Sequence, residues 1–248
     1  MNSKWIRFGK NRIDSEKCMI CIPFAGSGAS LFAGWQKIIG NDMEILPIQL
    51  PGREERIAEK PLTSISDVVR SIAQAVVPVI NGREFVIFGH SMGGLIAYAL
   101  TAELENEYGM SPKLCIISAS SINICTKKQK VSEMNDEELI KELSSYGGMD
   151  EQLLLLPDYL KMYLDIIRND YKIIEDFAAS EKTSVSCPLR LYSGTEDTLI
   201  AKEDMKEWYG LTGSGVTEKV FEGDHFFIKK HVDDICKDVL DNIRNGDN

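Results

Sequence analysis

The chain has 248 residues, 44% hydrophobic and 27% charged, a size and balance that suit a soluble globular protein with a substantial core. Its formal net charge of −10 excludes broad nucleic-acid binding, which needs a basic face. The opening MNSKWIRFGKNRIDSEK is polar and no apolar run approaches the roughly 20 residues of a membrane helix, so a cytoplasmic protein without a membrane segment is expected.

The first apolar run is MICIPF (19–24), leading into FAGSG (24–28). EILPIQL (44–50) follows, then the helical pattern SDVVRSIAQAVVPVI (66–80), EFVIFGH (84–90), the helical LIAYALTAELENEYG (95–109) and KLCIISA (113–119). Two further runs, CPLRLYSG (187–194) and TEKVFEG (217–223), precede a last helical stretch, IKKHVDDICKDVLDNIR (228–244). Short runs that are apolar throughout fit strands covered on both faces, and their alternation with helices predicts an α/β fold around a mostly parallel sheet. From about residue 120 to 186 only helical pattern is found, in NDEELIKELSSYG (135–147) and PDYLKMYLDIIRNDYKIIEDF (157–177), interrupted at Gly147-Gly148 and Pro157. An interval of roughly 65 residues is too long for a plain connection. It is expected to be a helical subdomain inserted between core strands of a single domain spanning 1–248.

The six cysteines are scattered, and Cys18-x-x-Cys21 is the one tight pair. It lies in a predicted strand, where an odd offset sends the two side chains to opposite faces, so a buried reduced pair is expected and no metal.

Gly89-His90-Ser91-Met92-Gly93 stands between a predicted strand and a predicted helix. An abrupt strand-to-helix turn strains the residue at its apex, and brings strand and helix so close that the positions two before and two after must be small. Ser91 is that apex residue and the candidate nucleophile, presented near a helix N-terminus that favours developing negative charge. A serine needs a base, and the chain has three histidines. His90 adjoins the serine and cannot easily fold back onto it, and His231 sits among helically patterned residues of a solvated face. His225, in the loop EGDHFF after the last strand, is the candidate base. Its acceptor is assigned to Asp197, 28 residues earlier in the loop after CPLRLYSG, with Glu196 and Asp224 as rivals. The order Ser, Asp, His is that of the α/β-hydrolases. Two N–H donors for an oxyanion are expected from Met92 and from FAGSG, there most simply Ala25. That loop lacks the spacing of a phosphate-binding loop.

Taken in order, IPFAGSGAS (22–30), LPGREER (50–56), FGHSMGG (88–94), GGM with a following PDYL (147–160), RNDY (168–171), SGTED (193–197) and GDHFF (223–227) resemble the type II (external) thioesterases of nonribosomal peptide and polyketide synthesis, nearly end to end. The resemblance implies an α/β-hydrolase fold with a helical lid, and catalysis by Ser91, Asp197 and His225 with Ala25 and Met92 at the oxyanion. It also implies removal of wrongly attached acyl groups from the phosphopantetheine thiol of acyl or peptidyl carrier proteins, by a monomer without a cofactor. Two departures, Ser27 in place of a second glycine after PFAG and IRNDY in place of LRADY, leave these residues intact. Carrier domains are usually acidic and the chain itself is acidic, so a local basic patch is needed for docking. Lys127, Lys128 and Lys130, or Arg53 and Arg56, are the candidates. A small-molecule carboxylesterase, a product-releasing thioesterase and a binding module on a hydrolase scaffold are the other readings of the same residues.

Overall fold

In the computed structural model, which describes residues 3–7, 15–123 and 129–245, the six apolar runs become six strands: β1 (Lys17–Ile22), β2 (Glu44–Pro47), β3 (Glu84–His90), β4 (Leu114–Ser118), β5 (Leu189–Gly194) and β6 (Val216–Phe221). They form one sheet in the order β2-β1-β3-β4-β5-β6, and every neighbouring pair is parallel. Parallel strands need crossover connections. Between β1 and β5 these carry α1 (Trp35–Ile39), α2 (Ile65–Ile80), α3 (Met92–Tyr108), and α4 (Asp136–Ser144) together with α5 (Pro157–Ala179); the crossover from β5 to β6 carries the 3-10 segment Lys202–Leu211, and α6 (Val232–Asn245) closes the chain.

Side chains of a strand alternate between faces, and the core divides accordingly. Cys18, Ile20 and Ile22 of β1 pack with Ile87, Ile117 and the inner stripes of α2, α3 and α5. Met19 and Cys21 pack on the other face with Phe88, Ile116, Trp35 of α1 and Val239 of α6. Cys18 and Cys21 therefore face opposite ways, and both thiols are buried and unpaired. Burial pushes Cys18 up to about 11 and Cys115 up to about 12, so neither is reactive at neutral pH.

Between β4 and β5 lie α4, α5 and two short 3-10 turns. Asn135 starts α4 with a capping box, its side chain accepting from the Glu138 N–H while Glu138 accepts from the Asn135 N–H. Pro157, expected as an interruption, is instead the first residue of α5, where a missing N–H costs nothing and its fixed φ suits the helix. Ile173, Ile174 and Phe177 of α5 share the sheet's own core cluster, and Phe177 meets Tyr98 of α3 edge to face.

The tightest crossing in the fold lies between β3 and α3. A Cβ at Gly89 would stand 1.9 Å from the Gly93 carbonyl oxygen, and one at Gly93 would stand 2.2 Å from the Ile22 carbonyl oxygen of β1. Backbone cannot yield as a side chain can. Gly93→Ala is expected to lower the unfolding free energy by at least about 2 kcal/mol, read from the midpoint of chemical unfolding. Gly210→Ala, where nothing lies within 4 Å, is expected to stay within about 0.5 kcal/mol of the parent.

Candidate active site

All the strands end on one edge, and the turns leaving that edge bring the site together. Ser91 stands between β3 and α3 with φ 55° and ψ −120°, a conformation that costs a non-glycine residue of order 1–3 kcal/mol. Its N–H donates to the Ser118 carbonyl at the end of β4 (2.8 Å), and the close helix crossing holds it there. Met92 is the first residue of α3, so its N–H has no helical carbonyl to reach.

His225 follows β6 and faces Ser91: its Nε2 lies 2.9 Å from Ser91 Oγ. Its Nδ1 lies 2.8 Å from Asp197 Oδ2, after β5. The carboxylate can only accept, so Nδ1 carries the proton and Nε2 accepts from the serine hydroxyl. The other Asp197 oxygen accepts from the N–H groups of Leu199 and Ile200, each at 2.9 Å. The His225 and Asp197 side chains are 2% and 0% exposed, which keeps their pairing out of water. Neither rival carboxylate is available: Glu196 faces solvent, and Asp224 Oδ1 accepts from the Phe226 N–H. His231 lies away from Ser91, its ring between Asp234 and the Glu222 carbonyl.

His90 does not reach the serine either, but it is part of the site. It is wholly buried, and its Nε2 lies 2.8 Å from the backbone carbonyl of His225. A carbonyl only accepts, so Nε2 donates, and Nδ1 accepts from the Ser118 hydroxyl at 2.8 Å. His90 is thus a neutral strut under the loop that carries His225. Sequence reasoning saw only what it could not do; its signal was adjacency to Ser91 in a strand that ends at the same edge.

Ser91, His225 and Ala25 open onto a cavity of about 30 Å³ roofed by Leu143 and by Tyr163, Ile167 and Tyr171 of α5. The phenols of Tyr146 and Tyr171 are 2.9 Å apart, Tyr163 donates to the Gly148 carbonyl (3.0 Å), and the Tyr146 ring meets that of His225 edge to face. Burial pushes Tyr163 up to about 12, so it remains a neutral donor. The stripe Tyr163, Ile167, Tyr171, Ile174 has helical spacing, a signal present in the sequence that is also how any core-facing stripe reads.

The basic-patch expectation is corrected in one part. Arg53 and Arg56 are buried, at 4% and 6% exposure, and cannot present a docking surface. Arg53 forms a two-pronged ion pair with Asp170, while Arg56 donates to the Gln49 carbonyl and to Glu59 and lies over the Trp5 ring. Arginine in LPGREER binds inward because its fork matches a carboxylate or carbonyl geometry that lysine would not. Lys130 is exposed beside Glu133; Lys127 and Lys128 lie outside the described residues. The loop 24–28 is not arranged for phosphate, since its Gly26 N–H already donates to Asp170. Among the described residues no cluster of three or more His, Cys, Asp or Glu could hold a metal ion, and no helix is long and apolar enough to cross a membrane.

The thioesterase-domain family model matches residues 18–243. The gramicidin S biosynthesis protein GrsT of Aneurinibacillus migulanus is 30% identical over 227 residues, covering 91% of this chain and 88% of its own. The medium-chain S-acyl fatty acid synthase thioesterase of Rattus norvegicus is 30% identical over 217 residues, covering 86% and 81%. Among solved structures, the type II thioesterase BorB from the borrelidin biosynthetic cluster superposes with a TM-score of 0.84 at 26% identity, covering 98% of both chains. That superposition bears out the expected α/β-hydrolase-like architecture.

Burial holds the His90 imidazole well below its usual range. Below about pH 6.5 the unfolded chain takes up a proton that the folded chain refuses, so stability is fully present above that pH and lost as pH falls, by about 1.4 kcal/mol per unit. His90→Gln removes this contribution. Its unfolding free energy is expected to drop by about 1 kcal/mol less than the parent's between about pH 7.5 and 5.5, checked by chemical unfolding at both.

Proposed function

The chain belongs to the thioesterase-domain family, and on that premise we propose that it hydrolyses acyl thioesters held on the phosphopantetheine arm of carrier proteins in nonribosomal peptide or polyketide synthesis. Ser91 Oγ attacks the thioester carbonyl as His225 Nε2 takes its proton. Asp197 keeps the imidazole in the tautomer this requires and stabilises the cation that forms. The oxyanion lies between the N–H groups of Ala25 and Met92. Collapse expels the pantetheine thiol, which takes the proton from His225 and leaves an acyl-Ser91 ester. A water then gives its proton to His225 and attacks that ester, releasing a carboxylic acid and regenerating Ser91. No cofactor takes part.

The observation that supports this reading is the unbroken Ser91–His225–Asp197 hydrogen-bonded chain opening onto a small apolar cavity. The helical insertion between β4 and β5 acts as the lid of that cavity.

The test is hydrolysis of an acetylated phosphopantetheinyl carrier protein, followed by intact mass. The parent is expected to strip the acetyl group, Ser91→Ala to lose up to about a million-fold in rate, and Asp197→Asn about ten-thousand-fold. A parent that cleaves a simple ester yet leaves the carrier acetylated would point to a small-molecule esterase instead.

A further inference from the structure

LPGREER contributes no side chain to the cavity and RNDY contributes only Tyr171 in its roof, yet the two motifs meet at a single buried point. Asp170 of α5 is 0% exposed and accepts from Arg53 Nη2 on Oδ1 (2.6 Å) and from Arg53 Nη1 on Oδ2 (2.6 Å). The same Oδ2 also accepts from the backbone N–H of Gly26 at 2.7 Å. Arg53 Nη1 reaches on to the Ser27 carbonyl at 3.2 Å. The carboxylate and guanidinium together grip the loop 24–28 on both sides of the Ala25–Gly26 peptide's C-terminal neighbour.

A buried ion pair is a poor source of net stability, because apolar side chains of similar volume often serve as well or better. What apolar side chains cannot do is hold a peptide N–H. Gly26 N–H belongs to the peptide plane that begins at Ala25, so fixing it restricts the backbone torsions of Ala25 itself. Ala25 and Ser91 line the same cavity. The loop is also pressed against α5 from outside the ion pair: a Cβ at Gly26 would stand 2.6 Å from Ile167 Cδ1 and 2.9 Å from Tyr163 Cε2.

We infer that Asp170 is a positioning residue for the oxyanion donor at Ala25, and that it ties the placement of that donor to the seating of α5 over the acyl cavity. The inference rests on the reading of Ser91 as the nucleophile. Binding an acyl group against Tyr163 and Ile167 and aiming the Ala25 N–H then become a single event. A donor displaced by about 1 Å loses most of its effect on the transition state, on the order of a hundredfold in rate.

The experiment compares the parent, Asp170→Asn, the double variant Arg53→Met/Asp170→Leu and Ser91→Ala. Hydrolysis of an acetyl thioester of N-acetylcysteamine is followed across pH, with melting and circular dichroism as controls on folding. The double variant removes both charges together, so no unpaired ion is left buried. In whichever Asp170 variants fold as the parent does, kcat is expected to fall tenfold or more. KM should stay within about threefold and the pH midpoint of kcat/KM should not move, because the Ser91–His225–Asp197 chain is intact. A folded variant whose kcat falls less than tenfold, or whose KM or pH midpoint moves instead, overturns the inference. So does failure of both variants to fold, which would assign Asp170 to the fold alone. Full turnover by Ser91→Ala would instead overturn the reading of the nucleophile, a separate and recognisable failure.

Discussion

The contact on which the rest depends is the crossing of α3 over β3 and β1, where backbone lies on backbone with no side chain between. It is possible only because positions 89 and 93 are glycine. It forces Ser91 into a positive φ, and it sets the first turn of α3 directly behind that residue. An ordinary strand-to-helix loop would leave the serine free to rotate with its backbone. Here the strain is held by the sheet, since the Ser91 N–H is bonded to the end of β4.

A parallel sheet with this strand order delivers its other loops to the same edge. Residues 24–28 leave β1, Asp197 follows β5 and His225 follows β6. Each loop is then pinned by a different neighbour. Asp197 is held by two N–H groups of its own turn, the His225 carbonyl by His90, and Gly26 by Asp170. The fold places these groups near one another, and the hydrogen bonds settle the last ångström.

The two buried histidines of the site make opposite use of burial. His90 is wholly buried and bonds to a carbonyl and a hydroxyl, with no carboxylate to offset the cost of burying a charge, so it stays neutral and rigid. In the proposed mechanism His225, bonded to a buried carboxylate, takes up the proton of Ser91. The two rings lie 5.5 Å apart between centroids, and they differ in whether a carboxylate faces them.

The sheet and its helices were legible in the sequence because continuous apolar runs and 3.6-residue stripes are local properties, and all six predicted strands fall where strands are found. Ser91 was legible for the same reason, since the two glycines that permit its turn lie within two positions of it. Asp197 was harder: choosing among three nearby carboxylates required knowing which one faces His225, and the sequence offered position along the chain but no direction in space. The arginines of LPGREER were misplaced on the surface for a related reason. A charged residue is solvated unless a partner exists, and the partner of Arg53 is Asp170, 117 positions away on α5. The roof of Tyr146, Tyr163 and Tyr171 and the strut at His90 are likewise products of contacts between distant segments. Local patterning therefore determined the elements and the residue that must sit at the strand-to-helix turn, while the tertiary structure decided which charges pair, which histidine stays neutral and which side chains roof the cavity beside Ser91, because each depends on what the folded chain brings into contact.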